Sequence, residues 1–150
     1  MTTFDSSEHQ IVANLLLRVY EIHDRIIART GGLEGLRDGA MLHSAIARPF
    51  ATFGGQELYS SDWEKAAALF HSLIKSHPFM DGTKRTAFAA TIYFLKEQGH
   101  PIPLNLPKDK IIRYCLELAS ENMRLAAGED IKPKTIAEIA AWFQVLLAVK

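Results

Sequence analysis

A short polar segment, residues 77–85, combines residue types that can transfer a phosphate-containing group. His77 can take a proton from a hydroxyl near neutral pH, and Asp81, four residues later, can bind a hard cation such as magnesium. Gly82 allows a tight turn close to a ligand. A helix that begins directly after it offers unpaired N–H groups to an anion.

Lys84 and Arg85 add positive charge to that first helical turn, where cations are mildly unfavourable for the helix itself. A bound phosphate would account for their position. The residue types alone are equally compatible with an ordinary Asp-Gly turn and a solvated basic face. Residues 82–84 resemble part of a P-loop, but the first glycine of that motif and its preceding strand are missing, so a P-loop is rejected.

The elements around this segment are predicted to be helical. Capping residues, glycine stops and apolar residues at helical spacing define six helices. Their predicted ranges are 5–30, 38–48, 61–75, 83–98, 109–127 and 135–147. The sequence therefore predicts an all-α, six-helix bundle. Residues 83–98 are apolar nearly all round, which favours this helix as the central one.

Residues 49–60 lack a helical period and contain two glycines among β-prone residues. They are predicted to form an extended flap or a small hairpin. Such a flap could dock a target backbone by strand addition, although a plain surface loop fits the pattern as well.

The composition indicates one domain, residues 1–150, with a substantial core. Lys+Arg and Asp+Glu both total 17, so the net charge is 0, which argues against charge-driven binding of nucleic acid or membrane surfaces. The single cysteine, Cys115, excludes an intramolecular disulfide and is expected to be buried. We see no secretion signal and no membrane span, so a cytoplasmic protein is expected.

The order and spacing of the residues in and around segment 77–85 resemble those of the Fic/Doc family, whose signature is His-x-Phe-x-(Asp/Glu)-Gly-Asn-(Gly/Lys)-Arg. The matching positions are His77, Phe79, Asp81, Gly82, Lys84 and Arg85. Further stretches look like the death-on-curing (Doc) branch: residues 31–38, Leu42, Ala45, residues 48–49, 64–67 and 94–96. The resemblance covers roughly residues 20–100.

This resemblance implies an all-α fold with a small flap and a site for ATP and Mg²⁺. His77 would be the base that activates a target hydroxyl, Asp81 would bind magnesium, and Phe79 would anchor the loop in the core. The phosphates would lie against Gly82, Thr83, Lys84 and Arg85. Doc toxins phosphorylate a threonine of elongation factor Tu, which stops translation, and a partner antitoxin neutralises them.

Two positions favour the Doc branch within the resemblance. Family members that transfer AMP carry glycine where Lys84 stands and a second arginine where Phe88 stands. Phe88 cannot make a charge-assisted bond to a phosphate, so we expect transfer of the terminal phosphate. Transfer of AMP to a protein hydroxyl is the alternative.

Thr83 departs from the family, which has asparagine at this position. Threonine offers one short hydroxyl instead of an amide donor and a carbonyl acceptor, so we expect reduced activity. A Fic-fold binding module without catalysis is a further alternative. Thr83 could still cap the following helix.

Residues 30–35 match the letters of an inhibitory helix found in some Fic enzymes, (Ser/Thr)-x-x-x-Glu-(Gly/Asn), but adjacent glycines are poor helix formers. We interpret them as a Doc-type turn. His71 could form a metal pair with His77, but without a third ligand a structural role is favoured. His23 is interpreted as an ordinary surface or packing residue. Arg37 and Asp38 are interpreted as a local pair at the helix start, with a role near the nucleotide as the alternative.

Overall fold

Six α-helices and one small hairpin make up the part of the chain that the computed structural model describes, residues 6–148. The all-α prediction is confirmed. The helices are α1 (Ser6–Thr30), α2 (Gly39–Ala47), α3 (Asp62–Ser76), α4 (Thr83–Glu97), α5 (Lys108–Ala126) and α6 (Ile136–Leu147). A short 3₁₀ turn, Arg48–Phe50, follows α2 directly.

Helix starts follow the capping residues that the sequence marks. The Ser61 hydroxyl accepts the backbone N–H of Glu64 at 3.1 Å, and the Thr135 hydroxyl accepts that of Glu138 at 3.1 Å. Each bond satisfies one N–H of a first turn that has no partner within the helix. The predicted cap of α1, Asp5, lies outside the described residues.

The centre of the bundle is α3, which packs against α2, α4, α5 and α6. Three consecutive alanines, residues 66–68, are fully buried, and such small side chains let helices approach from several sides. Phe70 of α3 meets Phe143 of α6 edge to face, with ring centroids 5.1 Å apart. The prediction that residues 83–98 form the central helix is wrong, because Phe88 and Tyr93 of α4 are only half-buried.

The sequence predicts an apolar stripe on α1 of Ile11, Leu15, Val19, Ile22 and Ile26, and the buried face keeps Leu15 and Val19 but is shifted by one residue at the other positions. Val12, Leu15, Val19 and Ile27 are buried, whereas Ile11 is 48% exposed. This shift places a polar side chain, His23, in the apolar face that α1 turns toward the rest of the bundle.

The predicted flap is a hairpin of β1 (Thr52–Phe53) and β2 (Gln56–Glu57), paired antiparallel. Gly54 and Gly55 form its turn with φ values of 58° and 78°, and this left-handed backbone favours glycine. The hairpin projects from the bundle, since the Phe53 side chain is 84% exposed.

The remaining predictions on the bundle concern Cys115 and the membrane. Cys115 is buried as expected, and burial raises the pKa of its thiol to about 11. None of the helices within residues 6–148 combines the length and the apolar character that crossing a bilayer requires.

Candidate active site

The loop between α3 and α4 turns sharply at its first residue. His77 has a φ of 46°, a left-handed conformation that few residues other than glycine adopt, and its side chain is exposed. Phe79 is 1% exposed and forms an isolated antiparallel bridge with Leu36. Phe79 therefore anchors the loop in the core, as predicted, while the His77 imidazole stays accessible.

Arg37 holds the beginning of this loop through two carbonyl groups. Its Nε donates to the His77 carbonyl oxygen at 2.7 Å, and its Nη2 donates to the Ser76 carbonyl oxygen at 2.6 Å. Charged donors make strong hydrogen bonds, and two of them from one planar guanidinium fix the orientation of the peptide. The left-handed turn at His77 is stabilised from outside the loop.

The segment before α2 extends this support along the loop. The N–H groups of Arg37 and Asp38 both donate to the Pro78 carbonyl, at 2.7 and 3.1 Å, and Met80 N–H donates to the Gly35 carbonyl at 3.1 Å. The Asp38 carboxylate instead accepts the Met41 N–H at the start of α2. The predicted local pair of Arg37 and Asp38 is therefore wrong: each side chain bonds to backbone.

His23 supports the loop from below, a role that sequence reasoning missed. Its ring lies parallel to that of Phe79, with centroids 3.9 Å apart, and its Nε2 is 2.7 Å from the Asp81 carbonyl oxygen. His23 is only 2% exposed. A histidine in the apolar stripe of α1 is the sequence signal that could have pointed to it.

Asp81, the predicted metal ligand, is half-buried and held by two backbone N–H groups. Leu33 N–H donates to Oδ2 and Gly82 N–H donates to Oδ1, both at 3.2 Å. Gly32 lies so close that a Cβ there would be 2.8 Å from Oδ2. Gly32 is thus required both by its φ of 115° and by the position of this carboxylate.

No side chain in the described part of the chain caps the N-terminus of α4. Its N-cap is Gly82, with φ 75°, and a Cβ there would meet Ile27 at 3.1 Å. The Thr83 side chain is turned into the protein: the residue is 3% exposed, and its hydroxyl has no hydrogen-bond partner within the described part of the chain. The expectation that Thr83 caps the helix is therefore wrong. The first N–H groups of α4 are left for a ligand or water.

The two cations of the segment lie at the same end of α4. Lys84 and Arg85 line an open cavity of about 200 Å³ together with Phe88 and apolar residues of α5. Arg85 also donates a hydrogen bond to the Thr30 hydroxyl at the end of α1. Phe88 stacks on Phe143, with ring centroids 6.1 Å apart, so the position holds an apolar ring and no charge.

Electrostatics favour the neutral form of His77. Burial lowers the pKa of this imidazole from its ordinary value of 6.5, and the nearby charges of Arg37 and Lys84 lower it further, against an opposing effect of Asp81. An imidazole that is neutral at pH 7 can accept a proton, which is what a general base requires.

Residues 30–35 do not form an inhibitory helix. Thr30 is the last residue of α1, and Gly31, Gly32 and Gly35 all have positive φ. Their interpretation as a turn is confirmed, and this turn is the one that supports Asp81.

His71 does not join His77. The Arg48 guanidinium donates to His71 Nδ1 at 2.8 Å. Burial, followed by the charges of Arg48 and Lys75, lowers the pKa of His71 to about 4. Across residues 6–148, no three His, Cys, Asp or Glu side chains gather as a metal-binding cluster.

The arrangement nevertheless suits a magnesium–nucleotide pair. Mg²⁺ is commonly bound by one or two carboxylates together with substrate phosphates and water, so a lone Asp81 is an adequate protein ligand. The uncapped turn of α4 and the cations Lys84 and Arg85 provide for the phosphates. His77 lies at the other end of the loop, where it could receive a proton.

Comparison with known proteins agrees with this geometry. The model of the Fic/DOC family matches residues 16–95. The chain is 39% identical to Toxin Doc of Mycolicibacterium smegmatis over 95 residues, which cover 63% of this chain and 73% of that protein. It is 32% identical to Protein kinase doc of Escherichia phage P1 over 78 residues, 52% of this chain and 61% of the phage protein.

The chain belongs to the Fic/Doc family. Its all-α fold and the loop of residues 77–85 are those that the sequence resemblance implied.

Proposed function

We propose that this protein is a Doc-like toxin of a toxin–antitoxin system that transfers the terminal phosphate of ATP to a threonine hydroxyl of elongation factor Tu. The observation that carries the proposal is the loop of residues 77–85, which presents a neutral imidazole, a carboxylate and an uncapped helix N-terminus together. The similarity to a protein named as a toxin and to one named as a protein kinase supports both the activity and its biological setting.

The residues of the loop divide the work of the proposed reaction. His77 takes the proton of the threonine hydroxyl, whose oxygen attacks the terminal phosphorus while the bond to the β-phosphate oxygen breaks and ADP leaves. Lys84, Arg85 and the N–H groups of α4 hold the phosphate oxygens. Asp81 holds Mg²⁺, which, when bound, offsets the negative charge of the phosphates.

Phe88 supports transfer of phosphate in preference to AMP. The side chain that occupies this position is an aromatic ring packed on Phe143, so it offers no charged donor to a terminal phosphate in the pose that AMP transfer uses. The cavity between α4 and α5 is correspondingly apolar on the side of Phe88.

The flap supplies a place for the protein substrate in this proposal. A short, projecting hairpin with an unpaired edge can align an extended target segment by strand addition. The reaction would take place in the cytoplasm, where ATP and the translation machinery are found. A separate antitoxin would control it, because the turn at residues 30–35 supplies no inhibitory helix.

Intact-mass measurement of purified elongation factor Tu, incubated with the protein and Mg²⁺–ATP, tests the proposal. We expect a mass increase of one phosphate, located on a threonine by peptide sequencing. The mass increase should be lost in His77→Ala and Asp81→Ala. It should be kept in the control His43→Ala, since His43 is an exposed residue of α2. An increase of one AMP would show adenylylation instead, and no increase with the unaltered protein would refute this target.

Thr83 favours a second candidate, a Fic-fold binding module with weak or no catalysis. Within residues 6–148 its buried hydroxyl has no hydrogen-bond partner, so the side chain gives the phosphate loop none of the bonds that asparagine could give. Thr83→Asn should therefore raise phosphate transfer several-fold, whereas an unchanged rate would show that Thr83 does not limit the site. Binding of the antitoxin by a protein that modifies no target would support the module.

A further inference from the structure

His23 is a buried polar side chain that takes no part in the proposed chemistry. It lies on α1, 58 positions before Asp81 in the chain, and is only 2% exposed. An apolar residue would fill this place in the α1 stripe without the cost of burying a polar ring. The residue type therefore needs a reason beyond packing.

The contacts of His23 supply that reason. The Asp81 carbonyl oxygen, 2.7 Å from Nε2, can only accept a hydrogen bond, so Nε2 carries the proton. The stack on Phe79, with an interplanar angle of 8°, fixes the ring plane that aims this proton. One side chain thus binds the loop at two points, the buried anchor and the peptide that follows Asp81.

The peptide held by His23 lies between two functional groups. The Asp81 carboxylate is on one side, and Gly82, the N-cap of α4, is on the other. Gly82 has φ 75°, and glycine restricts the rotation of a neighbouring peptide less than any other residue type does. An unheld Asp81–Gly82 peptide would move the carboxylate and the first N–H groups of α4 together.

We propose that His23 is a positioning residue of the active site, whose Nε2–H holds the Asp81 carbonyl and so keeps the carboxylate in register with the N-terminus of α4. It acts through Asp81 and does not touch the substrate. The functional part of the inference rests on the proposed function, since it takes Asp81 as the magnesium ligand. The hydrogen bond between His23 and the Asp81 carbonyl does not depend on the proposed function.

Long-range ¹H–¹⁵N NMR of the histidine rings in the unaltered protein tests the contact without any substitution. We expect His23 to be the Nε2–H tautomer, with a ring proton protected from exchange with water. An Nδ1–H tautomer, or a ring proton that exchanges as fast as that of exposed His43, would overturn the proposal.

Two substitutions separate the hydrogen bond from the packing. His23→Phe keeps a flat ring against Phe79 but loses the donor, whereas His23→Gln keeps a donor at a similar reach. Calorimetric titration with Mg²⁺–ATP should show affinity about tenfold weaker in His23→Phe, the scale of one lost buried hydrogen bond, and within about threefold of the unaltered protein in His23→Gln. His43→Phe is the matched control at an exposed histidine.

Peptide hydrogen exchange over residues 77–86 and the thermal unfolding midpoint are measured on the same variants. We expect faster exchange confined to this loop in His23→Phe. Equal exchange and equal affinity in His23→Phe, or equal losses in His23→Phe and His23→Gln, would show that His23 only fills space. If the unaltered protein binds no nucleotide, the proposed function fails, and the ring tautomer and loop exchange still decide the role of His23.

Discussion

The candidate catalytic loop, residues 77–85, and the flap are both connections between helices, yet they are supported in opposite ways. Residues 77–85 are bonded along their backbone by Arg37, by the segment around Gly35 and by His23, while His77 and Arg85 remain exposed. Among residues 6–148, the side-chain contacts that hold the flap lie near its base. Arg48 Nε donates to the Tyr59 hydroxyl at 3.1 Å, whereas the tip of the flap projects into solvent.

This contrast indicates a division of labour. The loop has a fixed backbone and presents side chains, which suits chemistry that depends on the position of atoms. The flap has a fixed base and presents a backbone edge, which suits recognition of an extended chain. Changes in the loop supports should therefore lower kcat or weaken Mg²⁺–ATP binding, and changes at the flap base should raise the KM for the protein substrate alone.

Among the supports of the loop and the flap, the largest effect is expected from Arg37→Ala. Removing the guanidinium frees the carbonyls of Ser76 and His77, and a displaced catalytic group can cost about 100-fold in rate. Steady-state phosphate transfer should show this loss mainly in kcat, while Arg113→Ala, an exposed arginine of α5, should leave the rate unchanged. Transfer by Arg37→Ala within threefold of the unaltered protein would contradict a fixed loop.

Gly32→Ala should weaken magnesium-dependent ATP binding by about tenfold, the scale of one charge-assisted hydrogen bond. Its new Cβ would lie 2.8 Å from Asp81 Oδ2, so the carboxylate must shift. Gly31→Ala is a matched control, because Gly31 also has a positive φ, 77°, but has nothing within 4 Å of the added Cβ. Titration with Mg²⁺–ATP compares the two variants, and equal affinities would contradict the requirement for glycine at position 32 beside Asp81.

Lys65→Met tests the flap. Lys65 Nζ forms a salt bridge with Glu57 of β2 at 3.2 Å and donates to the Tyr59 carbonyl. Loosening the hairpin base should raise the KM for elongation factor Tu by about fivefold, the scale of one partly exposed ion pair, and leave the KM for ATP unchanged. Lys110→Met, at an exposed position of α5, serves as the control. A change in the KM for ATP instead would mean that the flap and the loop do not act independently.

The smallest effect concerns pH. Because burial and the charges of Arg37 and Lys84 lower the pKa of His77 from its ordinary value of 6.5, the imidazole takes up its proton at a lower pH, and the acid limb of kcat/KM should lie below pH 6.5. Removing the Arg37 charge should move the limb to higher pH in the residual activity of Arg37→Ala. An acid limb at or above pH 6.5 in the unaltered protein would exclude His77, in this environment, as the group that titrates.

The helices and the identity of the loop were predictable because they depend on local pattern. Caps at Ser61 and Thr135, the glycine after Thr30 and the spacing from His77 to Arg85 are all visible in short stretches of sequence. The supports of the loop were not. Arg37 and His23 meet it only after folding, and nothing in their neighbours indicates that their partners are backbone carbonyls.

The position of α3 at the centre was missed for a related reason. Apolar character on all sides favoured α4, but burial depends on how closely neighbours can approach, and the three alanines of α3 permit contact on more sides than Phe88 and Tyr93 do. Thr83 was missed because capping was inferred from residue type. The backbone turn places Gly82 at the N-cap, one residue earlier.

The chain order of the loop supports has a consequence for synthesis on the ribosome. His23 and Arg37 leave the ribosome before the loop whose carbonyl groups they bind, so both donors have been synthesised when those carbonyl groups emerge. Helix α6, which packs against α3, is synthesised much later. Proteins fold from the N-terminal side during translation, so the nascent chain can arrange its candidate active site early but cannot close its core until α6 has emerged. On the proposed function, the protein would be unable to act on translation while it is itself being translated.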